Sequence, residues 1–256
     1  MNAIDRFRLD GKVALITGGS KGLGRSMAEG LASAGADLVL CSRHEDEVAE
    51  VADSVARDFG RQAIGVRCDV TQGEDVEALV ERAIADMEKI DILINNAGIN
   101  IRGPIEELEP EQFEEVMRVN VSGPWLLCRA VAPHMKRARY GRVINMSSTL
   151  GAVGVPGRTP YASSKGAVTL MTRVLALEWA SFGITVNAIC PGPFLTPMNL
   201  PIAETEDTKK FILGAVPLAR WGELHEIQGA AIFLGSDAAS YVTGTMLFVD
   251  GGWTAH

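Results

Sequence analysis

The chain has 256 residues, 47% of them hydrophobic, and a formal net charge of -8. That is enough apolar chain for one large core, and an acidic balance without any block of lysine or arginine argues against nucleic-acid binding. The N-terminal stretch carries acids at Asp5 and Asp10 and is no signal peptide, and no window approaches the ~18 apolar residues of a membrane span.

Strand signals fall at 13–17, 37–42, 63–68, 91–95, 142–146, 184–189 and 246–250. Helical patterns lie between them near 22–34, 46–59, 74–88, 110–138, 161–182 and 225–235. Acids such as Glu74 and Asp75 stand near helix starts, where the helix dipole favours them. The strands are almost unbroken apolar runs, which predicts burial on both faces. An α/β fold follows, with a parallel sheet and helices on both sides. No linker or domain boundary interrupts the pattern, so one domain spanning 1–256 is expected. The least regular piece, 191–218, holds several prolines and the charged run AETEDTKK. A long irregular segment of this kind is usually functional or mobile, and a lid is expected there. Four widely spaced cysteines, Cys41, Cys68, Cys128 and Cys190, form no C-x-x-C pair. They read as buried, reduced thiols of a cytoplasmic protein. The four histidines lack ligand spacing, so no metal is expected.

The first strand runs into TGGSKGLG, residues 17–24, and then a helix. Glycines let the backbone turn tightly and approach a pyrophosphate, and the helix start offers free N–H groups. The spacing is G-x-x-x-G-x-G; alone it is also an ordinary tight turn, and its place after the first strand makes it specific. The second strand ends in Cys41, Ser42 and Arg43, where an NAD-binding protein usually carries a carboxylate for the ribose hydroxyls. Arg43, with Lys21 from the glycine turn, could pair with a 2′-phosphate; both are otherwise surface charges. Together they favour NADP(H) over NAD(H).

In TPYASSKGA, residues 159–167, Tyr161 and Lys165 are four apart and share one helix face. A nearby ammonium favours a phenolate and lowers the phenol pKa from its usual value near 10. Tyr161 could then exchange a proton with the oxygen of a carbonyl or alcohol. Such a pair is weak evidence by itself. Its company is VINMSST, which places Ser148 at the sheet edge thirteen residues before Tyr161, able to polarise the same oxygen. NNAG, residues 95–98, ends the fourth strand, and VNVSG sets Asn120 within a helical stretch.

TGGSKGLG, NNAG, Asn120, the Ser148–Tyr161–Lys165 set and PGPFLT (191–196), in this order along nearly the whole chain, resemble the short-chain dehydrogenase/reductase family. The resemblance implies a seven-stranded Rossmann-like sheet. It implies that Tyr161 is the general acid/base, that Ser148 orients the substrate, and that Lys165 lowers the Tyr161 pKa and binds ribose. Asn120 would hold a water in a relay to Lys165. The cofactor would be met by Gly18, Ser20, Lys21, Gly22, Leu23, Gly24, Ser42 and Arg43. Asp69 and Val70 would flank the adenine, and Asn96, Ala97 and Gly98 would line the middle. Pro191, Gly192, Phe194 and Thr196 would meet the nicotinamide end, beside Tyr161 and Lys165. Basic residues at the Lys21 and Arg43 positions mark NADP preference in the family, and its members are commonly homotetramers.

The opening FRLDGKVALITG, the run PLARWGE, the ending FVDGGW and NNAGINIRGPIEEL look like the gluconate 5-dehydrogenase and 2-dehydro-3-deoxygluconate dehydrogenase branch. Arg102 could clamp a sugar-acid carboxylate there, or be a surface arginine. The 3-oxoacyl-(acyl-carrier-protein) reductases share the catalytic residues, and the basic run HMKRARYGR, residues 134–142, would offer such a carrier a docking patch or simply be a solvated helix end. A protein that binds NADP(H) as a sensor or scaffold without chemistry is the reading from another class; the intact tetrad argues against it.

Overall fold

A computed structural model describes residues 2–255. The seven strands are β1 (Val13–Thr17), β2 (Asp37–Ser42), β3 (Ala63–Arg67), β4 (Ile92–Asn95), β5 (Gly141–Met146), β6 (Ile184–Pro191) and β7 (Met246–Val249). They form one sheet in the order β3-β2-β1-β4-β5-β6-β7, and every pairing is parallel. β1, β4, β5 and β6 are buried along their whole length, while the edge strands β3 and β7 are partly open. That is why the central strands read as unbroken apolar runs: alternate side chains enter two different cores. Ile16, Leu38, Leu40, Ile92 and Ile94 face one core. Their neighbours Leu15, Val39 and Leu93 face the other.

The helices are α1 (Gly22–Ser33), α2 (Glu45–Phe59), α3 (Gly73–Met87), α4 (Pro110–Met117), α5 (Gly123–Ala138), α6 (Thr159–Trp179), α7 (Leu200–Ala203), α8 (Glu206–Ala215) and α9 (Gln228–Gly235). Two expectations need correcting. The single helix expected over 110–138 is α4 and α5 joined by a π-helical turn, Arg118–Ser122. Pro124 has no N–H, so it withdraws the donor that an α-helix would give the Asn120 carbonyl. The Gly123 N–H instead reaches back five residues to the Arg118 carbonyl. Second, the segment 191–218 is not wholly irregular, since it carries α7 and α8. Phe211 of α8 meets Trp253 edge-on, with ring centroids 5.2 Å apart, which fastens this segment to the tail after β7.

The chain runs outward from β1 to β2 and β3, then crosses back to β4 on the other side of β1. Such a reversal opens a crevice at the carboxyl ends of the strands. Its walls are tied together by Thr17, whose hydroxyl oxygen accepts the Asn96 and Ala97 N–H groups, each at 3.0 Å. The Asn96 amide in turn donates to the Thr17 and Gly18 carbonyls at 2.9 and 3.1 Å. Thr17→Val keeps the shape and leaves two N–H groups without an acceptor. Denaturant unfolding is expected to show a loss of about 2 kcal/mol.

Candidate active site

A cavity of about 560 Å³ fills this crevice. The volume lies in the range of small-molecule and cofactor sites. Every residue expected at the cofactor or at the proton-transfer centre lines it except Gly24 and Asn120, and Arg102 stands outside the lining as well.

Gly24 has a packing role. A Cβ there would overlap the Gly18 carbonyl and the Asn96 amide, and Gly18 itself has φ of 63°. The glycine turn is thus pressed against the β4 turn with no room for side chains. No side chain caps the start of α1, so its first N–H groups remain available to an anion. On the β2–β3 side, Arg43, His44 and Asp69 join the lining. Burial opposes ionisation of Asp69. Hydrogen bonds from the Thr71 N–H and hydroxyl, with Arg43 and Arg118 nearby, still hold its carboxyl below the usual range. The Ser42 hydroxyl is engaged in its own turn, donating to the His44 carbonyl at 2.8 Å. The open helix start, the side-chain-free turn and the cations on this side fit a phosphorylated dinucleotide.

The β5–β6 side carries Ser148, Tyr161 and Lys165. The two adjacent serines after β5 divide the work. Ser147 is buried and donates to the Lys165 carbonyl at 3.0 Å, and the Asn145 amide donates to the Thr172 hydroxyl at 2.9 Å. These bonds fix α6 against β5. Ser148 turns the other way, accepts the Leu150 N–H at 3.1 Å and faces the Tyr161 phenol. Burial pushes that phenol above its ordinary pKa, while Ser148 and the charge of Arg102 pull it down. Lys165 follows one helical turn on. Its Nζ donates to the Met146 carbonyl at 2.7 Å and lies 5.4 Å from the centre of the Tyr161 ring. Burial also pushes Lys165 itself down, to about 8, so it is a weaker cation than its position in the sequence suggests.

Asn120 is brought close but its side chain is spent. Its Oδ1 accepts the Ile99 N–H, and its Nδ2 donates to the Ile99 carbonyl and the Ser164 hydroxyl, at 2.9, 2.9 and 3.0 Å. Gly98 is the spacer here: a Cβ on it would lie 3.2 Å from Asn120 Oδ1 and 3.7 Å from Lys165 Nζ. Arg102 donates to Asn199 Oδ1 at 2.9 Å, and Asn199 holds the Phe194 carbonyl at 3.0 Å. Arg158, before α6, is close enough for Arg102 to disfavour its charge, beside the larger effect of burial. Sequence reasoning missed Arg158, Asn199 and Glu47, whose Oε2 lies 3.1 Å from Lys21 Nζ.

The basic run 134–142 is mostly consumed within the fold. Lys136 stacks over Trp179 and Phe182, Arg139 donates to the Ser181 carbonyl, and Arg142 is buried and paired with Asp237 at 2.9 Å. It also precedes and opens β5, at the end of the sheet opposite the cavity. All four cysteines are buried and unpaired. Among the described residues no helix is long and apolar enough to cross a membrane, and no three potential metal ligands cluster.

A parallel sheet with a crevice at its switch point, a glycine turn opening a helix and a serine–tyrosine–lysine centre define a nucleotide-dependent oxidoreductase. The family model described as enoyl-(acyl carrier protein) reductase matches residues 18–254, and the chain belongs to the short-chain dehydrogenase/reductase family. A gluconate 5-dehydrogenase from Burkholderia cenocepacia, solved in complex with NADP and tartrate, is 41% identical over the whole of both chains and superposes with a TM-score of 0.96. The 5-keto-D-gluconate 5-reductase of Escherichia coli K12 is 40% identical over 248 residues, 97% of each chain. A 3-oxoacyl-(acyl-carrier-protein) reductase of Haemophilus influenzae is 38% identical over 244 residues, 95% of this chain and 98% of its own.

Lys165 carries a stability consequence. Its folded pKa of about 8 lies below the ordinary 10.5, so the folded chain binds fewer protons between those values. Stability therefore rises with pH through that window, and the full cost, about 3 kcal/mol, is present below pH 8. Lys165→Met removes this cost and loses about 1 kcal/mol with the bond to Met146. Urea unfolding at pH 7 is expected to find the variant more stable, by an amount that shrinks near pH 10.

Proposed function

We propose that the protein reduces the keto group of a sugar acid of the 5-ketogluconate type with NADPH, and runs the reverse oxidation with NADP. The carrying observation is Arg102. Its guanidinium is held by Asn199, a residue of the cavity lining, and is close enough to the Tyr161 phenol to lower its pKa. A substrate carboxylate paired with Arg102 would bring a carbonyl further along its chain to Tyr161 and Ser148. The relatives named as acting on gluconate and ketogluconate support the same class, and the NADP of the Burkholderia complex supports the cofactor. The carrier-protein reading has less support, because the basic run meant to dock a carrier is consumed at the wrong end of the sheet.

In reduction, the raised pKa suits Tyr161 to its role, since the phenol stays protonated at neutral pH and can give its proton to the carbonyl oxygen. Ser148 donates a hydrogen bond to the same oxygen, and Ser148 and Arg102 then stabilise the phenolate that remains. A nicotinamide bound in the cavity supplies the hydride. Lys165 returns a proton to Tyr161, and its pKa of about 8 makes it a ready donor near neutral pH. With the Asn120 side chain spent, its backbone carbonyl is the group left to hold a relay water. The segment 191–218 acts as the lid through Asn199. The protein works in the cytoplasm, in keeping with its four buried free thiols.

A homotetramer is part of this reading. Leu170, Val174 and Leu177 form an apolar stripe along α6, exposed by 61%, 47% and 83%, and Phe113 and Trp125 are exposed on α4 and α5. Such a surface marks an interface between copies. Leu170→Glu with Leu177→Glu is expected to give a smaller species by sedimentation velocity; an unchanged assembly would place the contact elsewhere.

The first test of function follows NADPH oxidation with 5-keto-D-gluconate, a 3-oxoacyl thioester and a cyclic ketone. The sugar acid is expected to turn over fastest, and Tyr161→Phe to abolish turnover while still binding NADPH. Turnover of the thioester alone would move the substrate class. A biological action untouched by Tyr161→Phe would favour the sensor reading.

A further inference from the structure

The corner of the cavity formed by the glycine turn and the end of β2 holds basic side chains, Lys21, Arg43 and His44. A competitor for Lys21 stands beside it. Glu47, in the first turn of α2, places its Oε2 3.1 Å from Lys21 Nζ, and its Oε1 lies 3.4 Å from the same nitrogen. The Ser20 hydroxyl donates to Glu47 Oε2 at 3.3 Å. The two polar side chains that the turn offers to this corner are thus both engaged by one carboxylate.

We propose that Glu47 is a specificity-determining residue: it competes with the 2′-phosphate for Lys21 and Ser20 and so narrows the preference for NADP(H) over NAD(H). The proposal rests on the reading that this cavity binds NADP(H). A phosphate monoester dianion needs the donors that Glu47 occupies, and a carboxylate beside it repels it. Both side chains of the Lys21–Glu47 pair are about half exposed, so the pair is weak enough for a phosphate to displace. The displaced carboxylate stays tethered to the first turn of α2, and its repulsion persists in the bound state. A nucleotide with a free 2′-hydroxyl meets no such penalty. The Lys21 ammonium in turn holds the Glu47 carboxyl below the usual carboxylate range, so Glu47 is charged at neutral pH.

Acids also suit the first turn of any helix, and Glu45 and Asp46 precede Glu47. If that were the whole role of Glu47, its loss would not discriminate between nucleotides. The experiment is a fluorescence titration of NADPH and NADH into the full-length wild type, Glu47→Gln, Glu45→Gln, Lys21→Met and the Lys21→Met/Glu47→Gln pair. Displacement of NADPH by 2′,5′-ADP serves as a second probe. Glu47→Gln is expected to tighten NADPH and 2′,5′-ADP about three- to tenfold and to leave NADH within about twofold. Glu45→Gln should change neither, and the gain from Glu47→Gln should shrink in the Lys21→Met background, where only the repulsion and the Ser20 contact remain. An unchanged NADPH-to-NADH ratio in Glu47→Gln, or an equal gain with Lys21 absent, overturns the role of Glu47. A wild type that binds NADH more tightly than NADPH overturns the cofactor reading, and is distinguished from the first failure because it appears before any substitution is made.

Discussion

The tie between Thr17 and Asn96 is the constraint on which the cleft depends. β1 and β4 are neighbours in space but far apart in sequence, and the turns that follow them must hold one fixed separation. Thr17 accepts both N–H groups of the β4 turn, and Asn96 returns both of its amide hydrogens to the β1 turn. With those polar groups satisfied internally, what the turns offer to a ligand is backbone, and the glycines keep that backbone uncovered. Asn96 therefore shapes the cofactor cradle from behind, by fixing the turn, as well as lining it.

The proton-transfer centre shows what function costs the fold. A lysine with its ammonium at the end of a buried side chain is an expensive residue, and among the described residues no carboxylate pairs with it. Its one bond to the Met146 carbonyl leaves it short of full hydration, and the result is a cation that parts with its proton near neutral pH. The phenol is shifted the opposite way by the same burial. Burial thus drives the two groups apart in acidity, with the ammonium the stronger acid, so a proton passes readily from Lys165 to a phenolate. An isolated ammonium–phenol contact would have set the opposite order.

What was legible in the sequence is what the chain writes locally. Strand signals, the glycine turn, the four-residue spacing of Tyr161 and Lys165 and the position of Ser148 each depend on neighbours within one element or its edge, so periodicity and spacing reach them. Glu47, Asn199 and Arg158 escaped because each acts across elements, Glu47 on Lys21 and the other two on Arg102, and those separations carry no period. The basic run 134–142 misled for a similar reason: Lys136 and Arg142 look solvated until α6 and Asp237 are packed against them. The π-helical turn did have a signal. Gly123 and Pro124 stand in the middle of an otherwise helical pattern, and a proline there always deprives the residue four before it of a donor.

That proline has a consequence for anyone reshaping this scaffold. Selection for thermal resilience rewards whatever completes a helix, and replacing Pro124 by alanine would restore a backbone hydrogen bond to Asn120 and score as an improvement. The same bond would occupy the carbonyl that the proposed relay assigns to a water. The proposed proton relay is partly made of an omission, a donor that was never supplied, and a screen that sees only robustness will repair it.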